Sequence, residues 1–211
     1  MIKLVAQQIV GCNGLDDPNR ILRTIEHCGR VAYASWGLET EESAGKFVRM
    51  LISRGHESPL EHASITLFVV CDRATAQQLT RHRFTSFTME SQRYNNYSRD
   101  KFDNQICVID PKYKNPFNYE IWLAQMESAA HAYFALLNGG APPEDARAVL
   151  PNAAACTLAM TTNIREWRQI LKIRLDPAAQ HNIRELARDI LELFKSKIPD
   201  IVSDIDVDAK K

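Results

Sequence analysis

The sequence predicts an α+β fold in which helices outnumber strands. Most segments repeat apolar residues at helical spacing, whereas only a few short runs carry the β-branched and aromatic residues that strands favour. The 211 residues are 45% hydrophobic and 25% charged, which is enough apolar material for one real core. We therefore predict a single domain over residues 1–205 and a frayed tail over residues 206–211.

The first segments are predicted to be an edge strand and two helices. Residues 1–14 have the short apolar run of an edge strand. Residues 16–35 place an Asp before Pro18 and then repeat apolar residues at helical spacing, which predicts a helix. Residues 39–55 begin with acidic residues and end at Gly55, which is placed to cap a second helix.

A very short helix, a strand and a third helix follow. Residues 56–62 contain Ser58 and Glu61 in a capping-box pattern, which predicts the very short helix. Residues 63–71, ASITLFVVC, are rich in β-branched and aromatic residues and form the clearest strand of the chain. Residues 72–83 are predicted to be a helix that carries a basic segment at its C-terminal end.

The middle of the chain is predicted to contain a loop, a strand and a long helix. The loop covers residues 95–105 and the strand covers residues 106–110, ICVID. The long helix runs over residues 118–140 and ends at Gly139 and Gly140.

The last third of the chain is predicted to be helical throughout. Residues 142–162 open with prolines and acidic residues, as first helical turns do, although Pro151 should interrupt that helix. Asn163 is placed to cap a helix over residues 164–176. The last amphipathic helix covers residues 177–198.

Composition restricts the possible partners and the cell compartment. The 26 Lys and Arg balance the 26 Asp and Glu, so no overall positive field favours a nucleic acid polymer. No stretch approaches the ~20 apolar residues of a membrane span, and the chain start lacks the pattern of a leader. We therefore expect a cytoplasmic protein with no membrane partner.

Cysteine and histidine spacing argues against a metal site. The five cysteines are widely spaced and lack any CxxC pair, so we predict buried thiols and neither a disulfide framework nor a zinc ribbon. His56 and His62 are six residues apart with Pro59 between them, whereas a zinc-binding helix needs histidines four residues apart.

The segment RHRFTSFTMESQRY, residues 81–94, gathers three arginines with hydroxyl and amide groups. These donors hold phosphates and the edges of bases. On a helix Arg81 and Arg83 would point about 200° apart, which suggests two ligand groups or a site shared between subunits. An anion or nucleotide site is one interpretation. A basic surface patch, or a phosphate- or RNA-binding module that uses residues 81–93, is the alternative.

A second polar set occurs late in the chain. It consists of Arg147, Asn163, Arg165, Gln169 and Arg174. Arg165 and Gln169 are four residues apart and share a helical face, but a solvated amphipathic helix would show the same pattern. The chain has no GxGxxG after a strand, no GxxxxGK[ST] and no GxSxG, and no cysteine has the charged setting of a nucleophile.

The basic segment resembles the signature of the flavin-dependent thymidylate synthases. The similar residues are RHR at 81–83, Ser91 ten residues after Arg81, and an S-x-R-Y ending. In addition, RGHESPLEH resembles the family's GHE(S/T)P-x-EH, ARAVLP resembles AR-x-VLP, and NIREW…LKIRLD…AQ resembles N-x-R…LR…AQ. The resemblance covers most of residues 23–185.

The resemblance implies a fold, a reaction and an assembly. The fold would be a set of mixed helices around a small, mostly antiparallel sheet, and the enzyme would be a homotetramer with active sites between subunits. The reaction would be the reductive methylation of dUMP to dTMP, with carbon from 5,10-methylenetetrahydrofolate and hydride from NADPH carried by FAD. Such an enzyme needs no cysteine nucleophile, unlike the unrelated thymidylate synthase class.

The resemblance also implies roles for individual residues. The catalytic residues would be Arg174, which would activate C5 of the uracil ring, and His56. The cofactor-binding residues would be Ser58, Arg81, His82, Arg83, Phe84, Met89, Asn163, Ile164, Arg165 and Gln169. The substrate-binding residues would be Gln78, Leu79, Thr80, Arg81, Met89, Glu90, Ser91, Gln92, Arg93, Arg147 and Arg174. No metal ligands are implied.

A residue pair and one further position depart from the family pattern. Thr88 and Met89 stand where many members have a polar pair, with Glu90 directly before the serine. Met89 is not a strong hydrogen-bond acceptor, so a contact there would use its backbone. Gln169 stands where some members have Asn.

Overall fold

The computed structural model describes residues 1–40 and 42–205, so the predicted tail over residues 206–211 lies outside the described residues. The strands are β1 Ile2–Val5, β2 Gln8–Asn13, β3 Ser64–Asp72, β4 Ser86–Met89, β5 Ile106–Ile109 and β6 Ala155–Asn163. The helices are α1 Pro18–Val31, α2 Ser43–Ser53, α3 Arg73–Leu79, α4 Pro116–Asn138, α5 Pro143–Ala146, α6 Ile164–Arg174 and α7 His181–Lys197. The described chain is α+β, as predicted.

The main sheet has four strands in the order β2-β3-β6-β4 and is mostly antiparallel, as predicted. Between β3 and β6, Thr66 and Thr161 share a hydroxyl hydrogen bond of 2.8 Å, and the Ile164 N–H donates to the Ala63 carbonyl. Moving along one strand thus moves backwards along the other, which is the antiparallel arrangement. Strands β1 and β5 form a separate parallel pair.

The chain divides into two compact units, each built from separate stretches of sequence. The first unit contains Met1–Gln8, Val69–Leu79 and Thr88–Leu158. The second unit contains Ile9–Phe68, Thr80–Phe87 and the chain from Ala159 onward.

The core of the first unit is formed mainly by α4 and β5. Tyr133 on α4 is fully buried and packs its ring 5.7 Å from the ring of Tyr97. Ile106 and Val108 contribute the apolar residues of β5. Because this cluster fixes Tyr97, it anchors the chain just beyond the basic segment.

The core of the second unit includes apolar faces of α6 and α7, which pack on each other. Trp167 is fully buried, meets the Phe194 ring edge to face at 5.5 Å, and donates its indole N–H to the Ile65 carbonyl. The burial of Trp167 fixes the position of α6, whose first turn contains predicted site residues. Helices α1 and α2 pack as a second pair.

The predicted helix ends at Gly55, Gly139 and Asn163 are confirmed. Gly55 has a φ of +70° after α2, and the following N–H of His56 donates back to the Leu51 carbonyl at 2.9 Å. Only glycine adopts that conformation without strain. The Asn163 side chain accepts a 2.8 Å hydrogen bond from the Glu166 N–H and caps α6.

The prediction of a helix over residues 142–162 is wrong beyond its first turns. After α5 and the short 3₁₀ helix Arg147–Val149, the chain enters the strand β6. The buried side chains of β6 alternate with less buried ones, with Leu158, Met160 and Thr162 facing inward. Alanine, leucine and methionine suggested a helix, but this period of two is the pattern of a strand.

The predicted helix over residues 72–83 is too long. Helix α3 ends at Leu79, so Arg81 and Arg83 lie in a turn and the 200° helical angle between them does not apply. The chain then forms the strand β4, which the sequence analysis did not predict.

The capping-box prediction at Ser58 is also wrong. The short helix Ser58–His62 is confirmed as a 3₁₀ helix, but its N-cap is Glu57 and no side chain caps it. Helix α2 begins at Ser43, and its first turn contains no acidic residue.

The prediction that the cysteines are buried holds for only part of the set. All five thiols are free, Cys71 and Cys156 are buried, and Cys12 is exposed. The described residues contain no group of three or more His, Cys, Asp or Glu side chains that could hold a metal ion. In the same residues, no helix combines the length and the apolar character that crossing a membrane requires.

Candidate active site

A pocket of about 520 Å³ lies in the second unit. Three segments that are far apart in the chain line it: the segment around the short helix Ser58–His62, the basic turn (residues 81–84) and the start of α6. The lining residues are Glu57, Glu61, Phe84, Asn163, Arg165, Glu166 and Gln169. Four predicted cofactor residues therefore share one pocket, and Arg165 and Gln169 share a face as their spacing predicts.

Arg165 is the cation of this pocket, and carboxylates of the GHESPLEH segment hold it. Its guanidinium is hydrogen-bonded to Glu61, and its Nε lies 3.7 Å from a carboxylate oxygen of Glu57. The hydrogen bond that Arg165 donates to the Glu61 carboxylate raises the pKa of Arg165, so the guanidinium remains charged. The pocket thus offers guanidinium and amide donors beside carboxylate acceptors.

His82 joins the pocket residue Glu166 to Arg174 in a chain of three polar side chains. Its Nδ1 is 3.3 Å from Glu166 Oε1, and its Nε2 accepts a hydrogen bond of 3.0 Å from Arg174 Nε. Burial and the nearby Arg174 charge lower the pKa of His82 to about 4. The ring is therefore neutral at pH 7, with its proton on Nδ1 facing Glu166.

Burial also affects both neighbours of His82. It raises the pKa of Glu166 and lowers the pKa of Arg174. Each shift disfavours the charged form of its group. His82 lies between Glu166 and Arg174, and its hydrogen bond fixes the direction of the Arg174 side chain.

The basic turn presents its largest groups to solvent. Arg81, Arg83 and Phe84 are exposed, and Phe84 has 83% of its surface accessible. The Phe84 carbonyl accepts a 2.8 Å hydrogen bond from the Thr162 hydroxyl, which ties the turn to β6. The structure thus holds the backbone of the turn and leaves its cationic and aromatic side chains accessible.

In the first unit, two predicted substrate arginines meet at Glu144 in α5. Arg93 Nε donates to the Glu144 carboxylate at 2.6 Å, and Arg147 Nε donates to the Glu144 carbonyl at 3.1 Å. Each guanidinium uses its Nε in these bonds. Two arginines that are 54 residues apart in the sequence are in this way directed to one place.

A family model described as thymidylate synthase complementing protein matches residues 15–200 of the chain. The flavin-dependent thymidylate synthase of Geobacter sulfurreducens is 36% identical over 182 residues, which are 83% of this chain and 78% of that protein. The chain belongs to the flavin-dependent thymidylate synthase family. The family member of Pyrococcus furiosus is 33% identical over 180 residues, which are 82% of this chain and 74% of that protein.

A solved structure shares the fold of this family member. It is a UMP/dUMP methylase, PolB from Streptomyces cacaoi bound with 5-Br dUMP, which superposes with a TM-score of 0.74. The superposition covers 96% of both chains at 24% sequence identity. At that identity the likeness concerns the fold.

The residues that the family resemblance implies divide between the two units. His56, Ser58, Arg81 to Phe84, Asn163 to Arg165, Gln169 and Arg174 lie in the second unit. Gln78, Leu79, Met89 to Arg93 and Arg147 lie in the first unit. Nearly all predicted cofactor residues are thus in one unit and most predicted substrate residues are in the other.

Several implied site residues of this flavin-dependent thymidylate synthase family member are solvent-exposed, and others are buried. His56, Ser58 and Thr80 are exposed. The Leu79 and Ile164 side chains are buried in the core, so a ligand contact there would use backbone atoms. Gln92 is buried; Gln78, Met89, Glu90 and Ser91 are half-buried.

Sequence reasoning missed four carboxylates of the site. Glu57 and Glu61 lie inside the GHESPLEH motif, Glu166 occupies the first turn of α6, and Glu144 precedes Arg147 by three residues. The position of Glu57 and Glu61 inside the motif could have identified them as site residues. The partners of Glu144 and Glu166 come from distant segments, so no local pattern reveals them.

Proposed function

We propose that this chain is a flavin-dependent thymidylate synthase that converts dUMP to dTMP. The carbon comes from 5,10-methylenetetrahydrofolate, and the reducing equivalents come from NADPH. Family membership over most of the chain supports this reaction. One structural observation carries the proposal: three motif segments converge on one pocket that contains a cation, amides, carboxylates and an exposed aromatic ring.

The pocket residues suit FAD. Arg165 supplies a guanidinium for a pyrophosphate, while Asn163 and Gln169 supply amide donors. The carboxylates of Glu57 and Glu61 are acceptors of the kind that bind ribose hydroxyls. When bound, FAD supplies the transfer of reducing equivalents from NADPH, and the protein supplies position and charge.

The two arginines at Glu144 suit the phosphate of dUMP. Arg93 and Arg147 both donate through Nε to Glu144, and guanidinium groups are the donors that phosphate prefers. Ser91 would position the nucleotide: its hydroxyl accepts from the Arg93 N–H at 3.2 Å, and within the described residues no base is bonded to it that would make it a nucleophile.

Arg174 would act on the uracil ring. A guanidinium beside the ring favours its deprotonated, electron-rich form and thereby activates C5. The neutral His82 accepts a hydrogen bond from Arg174 Nε at 3.0 Å and so orients the guanidinium that would contact the nucleotide. His56, which is exposed, is proposed as the second catalytic residue on the family resemblance alone.

The finer properties of the enzyme are part of the same proposal. The active enzyme is a homotetramer with active sites between subunits, binds folate as the carbon donor, and works in the cytoplasm as a single-domain protein over residues 1–205. The four-subunit state predicts a mass near four times the 24.0 kDa of one chain in sedimentation or light scattering.

The visible spectrum of the purified protein tests the proposed function directly. We expect a flavin spectrum that NADPH bleaches under anaerobic conditions, and dTMP formation that requires dUMP and methylenetetrahydrofolate. A colourless protein that fails to take up added FAD would contradict the proposal. Binding of single-stranded RNA that weakens steeply with salt, without flavin, would instead favour an RNA-binding module.

A further inference from the structure

Glu90 lies where β4 leaves the sheet. Its backbone N–H donates to the Thr157 carbonyl at 2.8 Å. The Thr157 N–H, however, donates to the side chain of Glu90, at Oε2, over 3.3 Å. In a regular antiparallel pair the opposite residue's own carbonyl would accept that bond. The carboxylate thus replaces the backbone acceptor, which lets the chain turn away from β6 directly after Glu90.

The other carboxylate oxygen of Glu90 closes the loop that follows. Oε1 accepts hydrogen bonds from Asn95 Nδ2 at 3.1 Å and from the Tyr97 hydroxyl at 3.4 Å. Tyr97 is itself fixed, because it is buried, its N–H donates to the Tyr133 hydroxyl, and its ring meets Phe102 edge to face at 4.9 Å. Burial, together with the Glu90 charge, raises the pKa of Tyr97. The hydroxyl therefore keeps its proton and can donate a hydrogen bond to Glu90.

The segment between these two anchors is the substrate loop, residues 91–96. It contains Ser91 and Arg93, and internal bonds make it compact: the Asn95 N–H donates to the Ser91 carbonyl at 3.0 Å, and the Arg93 N–H donates to the Ser91 hydroxyl. Fixing both ends of so short a segment restricts the positions that its polar groups can adopt.

We propose that Glu90 is a positioning residue that holds the substrate loop in its binding conformation through Thr157, Asn95 and Tyr97. The inference rests on the proposed function, since it assumes that the loop binds dUMP. Both carboxylate oxygens are occupied within the protein, and a carboxylate would repel an anionic nucleotide. The Glu90 side chain therefore acts through the loop and not by contact with dUMP.

Kinetics of Glu90→Leu and Glu90→Gln test this role. Because a misplaced loop loses binding in the ground state and the transition state alike, Glu90→Leu should raise the KM for dUMP about tenfold with little change in kcat. Glu90→Gln, which keeps one acceptor oxygen, should give a smaller rise. The matched control is Glu127→Leu on the exposed side of α4, which should leave KM unchanged.

The tyrosine gives an independent check. Tyr97→Phe removes only the hydroxyl and should raise the KM for dUMP about threefold, and the double variant with Glu90→Leu should be no worse than Glu90→Leu alone. Additive effects would contradict a shared network. A fall in thermal stability with an unchanged KM, or a fall in kcat alone, would overturn the positioning role.

Hydrogen exchange separates this inference from the proposed function. In Glu90→Leu the amides of Arg93 and Asn95 should exchange faster than in the wild type, whether or not dUMP is added. Unchanged exchange at these amides overturns the positioning role. A wild-type protein that shows no dUMP binding overturns the proposed function, while the exchange measurement still decides what Glu90 does.

Discussion

His82 is the residue whose environment differs most from what its position in a basic motif suggests. It is 6% exposed, and burial together with Arg174 lowers its pKa to about 4, whereas an unfolded histidine titrates near 6.5. Between about pH 6.5 and 4, His82 is therefore protonated in the unfolded chain and neutral in the folded chain. The free energy of unfolding falls as the pH falls through this window.

Replacing His82 by Gln should remove this pH dependence. In the wild type the group contributes up to about 3 kcal/mol that is present above pH 6.5 and is lost between about pH 6.5 and 4. Glutamine is neutral throughout and keeps an acceptor for Arg174. Urea unfolding at a series of pH values checks the difference between the two proteins, and identical slopes over the window would contradict the assigned neutral state.

Arg174 should be more important for turnover than for cofactor binding. It lies outside the pocket that Arg165 and Asn163 line, so Arg174→Ala should retain FAD. Loss of a guanidinium that stabilises developing charge should lower dUMP-dependent turnover at least about 100-fold. The visible spectrum measures FAD retention, and dTMP formation measures turnover. Arg174→Lys is the variant that keeps the positive charge but lacks the planar guanidinium. Unaltered turnover in Arg174→Ala would remove the proposed role.

At the scale of elements, Asn163 joins the end of β6 to the start of α6 and has two separable functions. Its side-chain oxygen caps α6, and the residue also lines the pocket. Asn163→Ala should lower the free energy of unfolding by about 1 kcal/mol, as lost N-caps do. Asn163→Asp should restore the stability, because aspartate caps equally well.

The FAD content of the same variants separates the two functions. Both Asn163→Ala and Asn163→Asp lack the amide N–H₂ group, so both should bind FAD more weakly if that group is a donor to the cofactor. Recovery of FAD binding together with stability in Asn163→Asp would mean that the cap alone matters. Fluorescence titration with FAD measures the affinity.

The elements that the sequence predicted well have strong local signals. Helix α6 has a capping asparagine and apolar residues at helical spacing, and α2 ends at a glycine with a positive φ. Strand β6 was misread because alanine, leucine and methionine favour helices, and the neighbours that make it a strand, β3 and β4, lie far away in the sequence. Local residue propensity predicts secondary structure poorly where pairing with distant strands determines it.

At the scale of the chain, the end of the described structure is fastened to the middle of α6. The buried Arg168 donates to both carboxylate oxygens of Asp204, at 2.7 and 2.8 Å, and to the Ile201 carbonyl at 2.6 Å. Its Nη2 also lies 3.3 Å from Glu57, a pocket residue. The hydrogen bonds from Arg168 lower the pKa of Asp204, so the pair stays ionised at neutral pH.

Removing Asp204 should destabilise the second unit more than removing its neighbour Asp200. Asp204→Ala leaves a buried guanidinium short of a partner and should cost about 2 kcal/mol, less than a fully buried pair because Asp204 is partly exposed. Asp200 pairs with the half-exposed Arg49, and Asp200→Ala should cost at most about 1 kcal/mol. Urea denaturation of the two variants checks the order, and equal losses would contradict it.

The candidate site was only partly predictable from the chain as a whole. Phe84, Asn163 and Arg165 of the second unit share a pocket, and their roles there stay predictions. The carboxylates that hold the arginines were not predicted, because an ion pair such as Arg93 with Glu144 joins residues 51 positions apart. The zero net charge gives no information on such local clusters, because it counts opposite charges without their positions.

The parallel pairing of β1 with β5 also sets an order of events during synthesis. Ile2 aligns with Ile106, so β1 leaves the ribosome well before its partner, which is made 104 residues later. At typical elongation rates this takes about 5 to 20 s. During that time the strand has unpaired backbone groups that chaperones or other nascent chains can bind. The sheet of β1 and β5 in the first unit therefore forms only after β5 has been made.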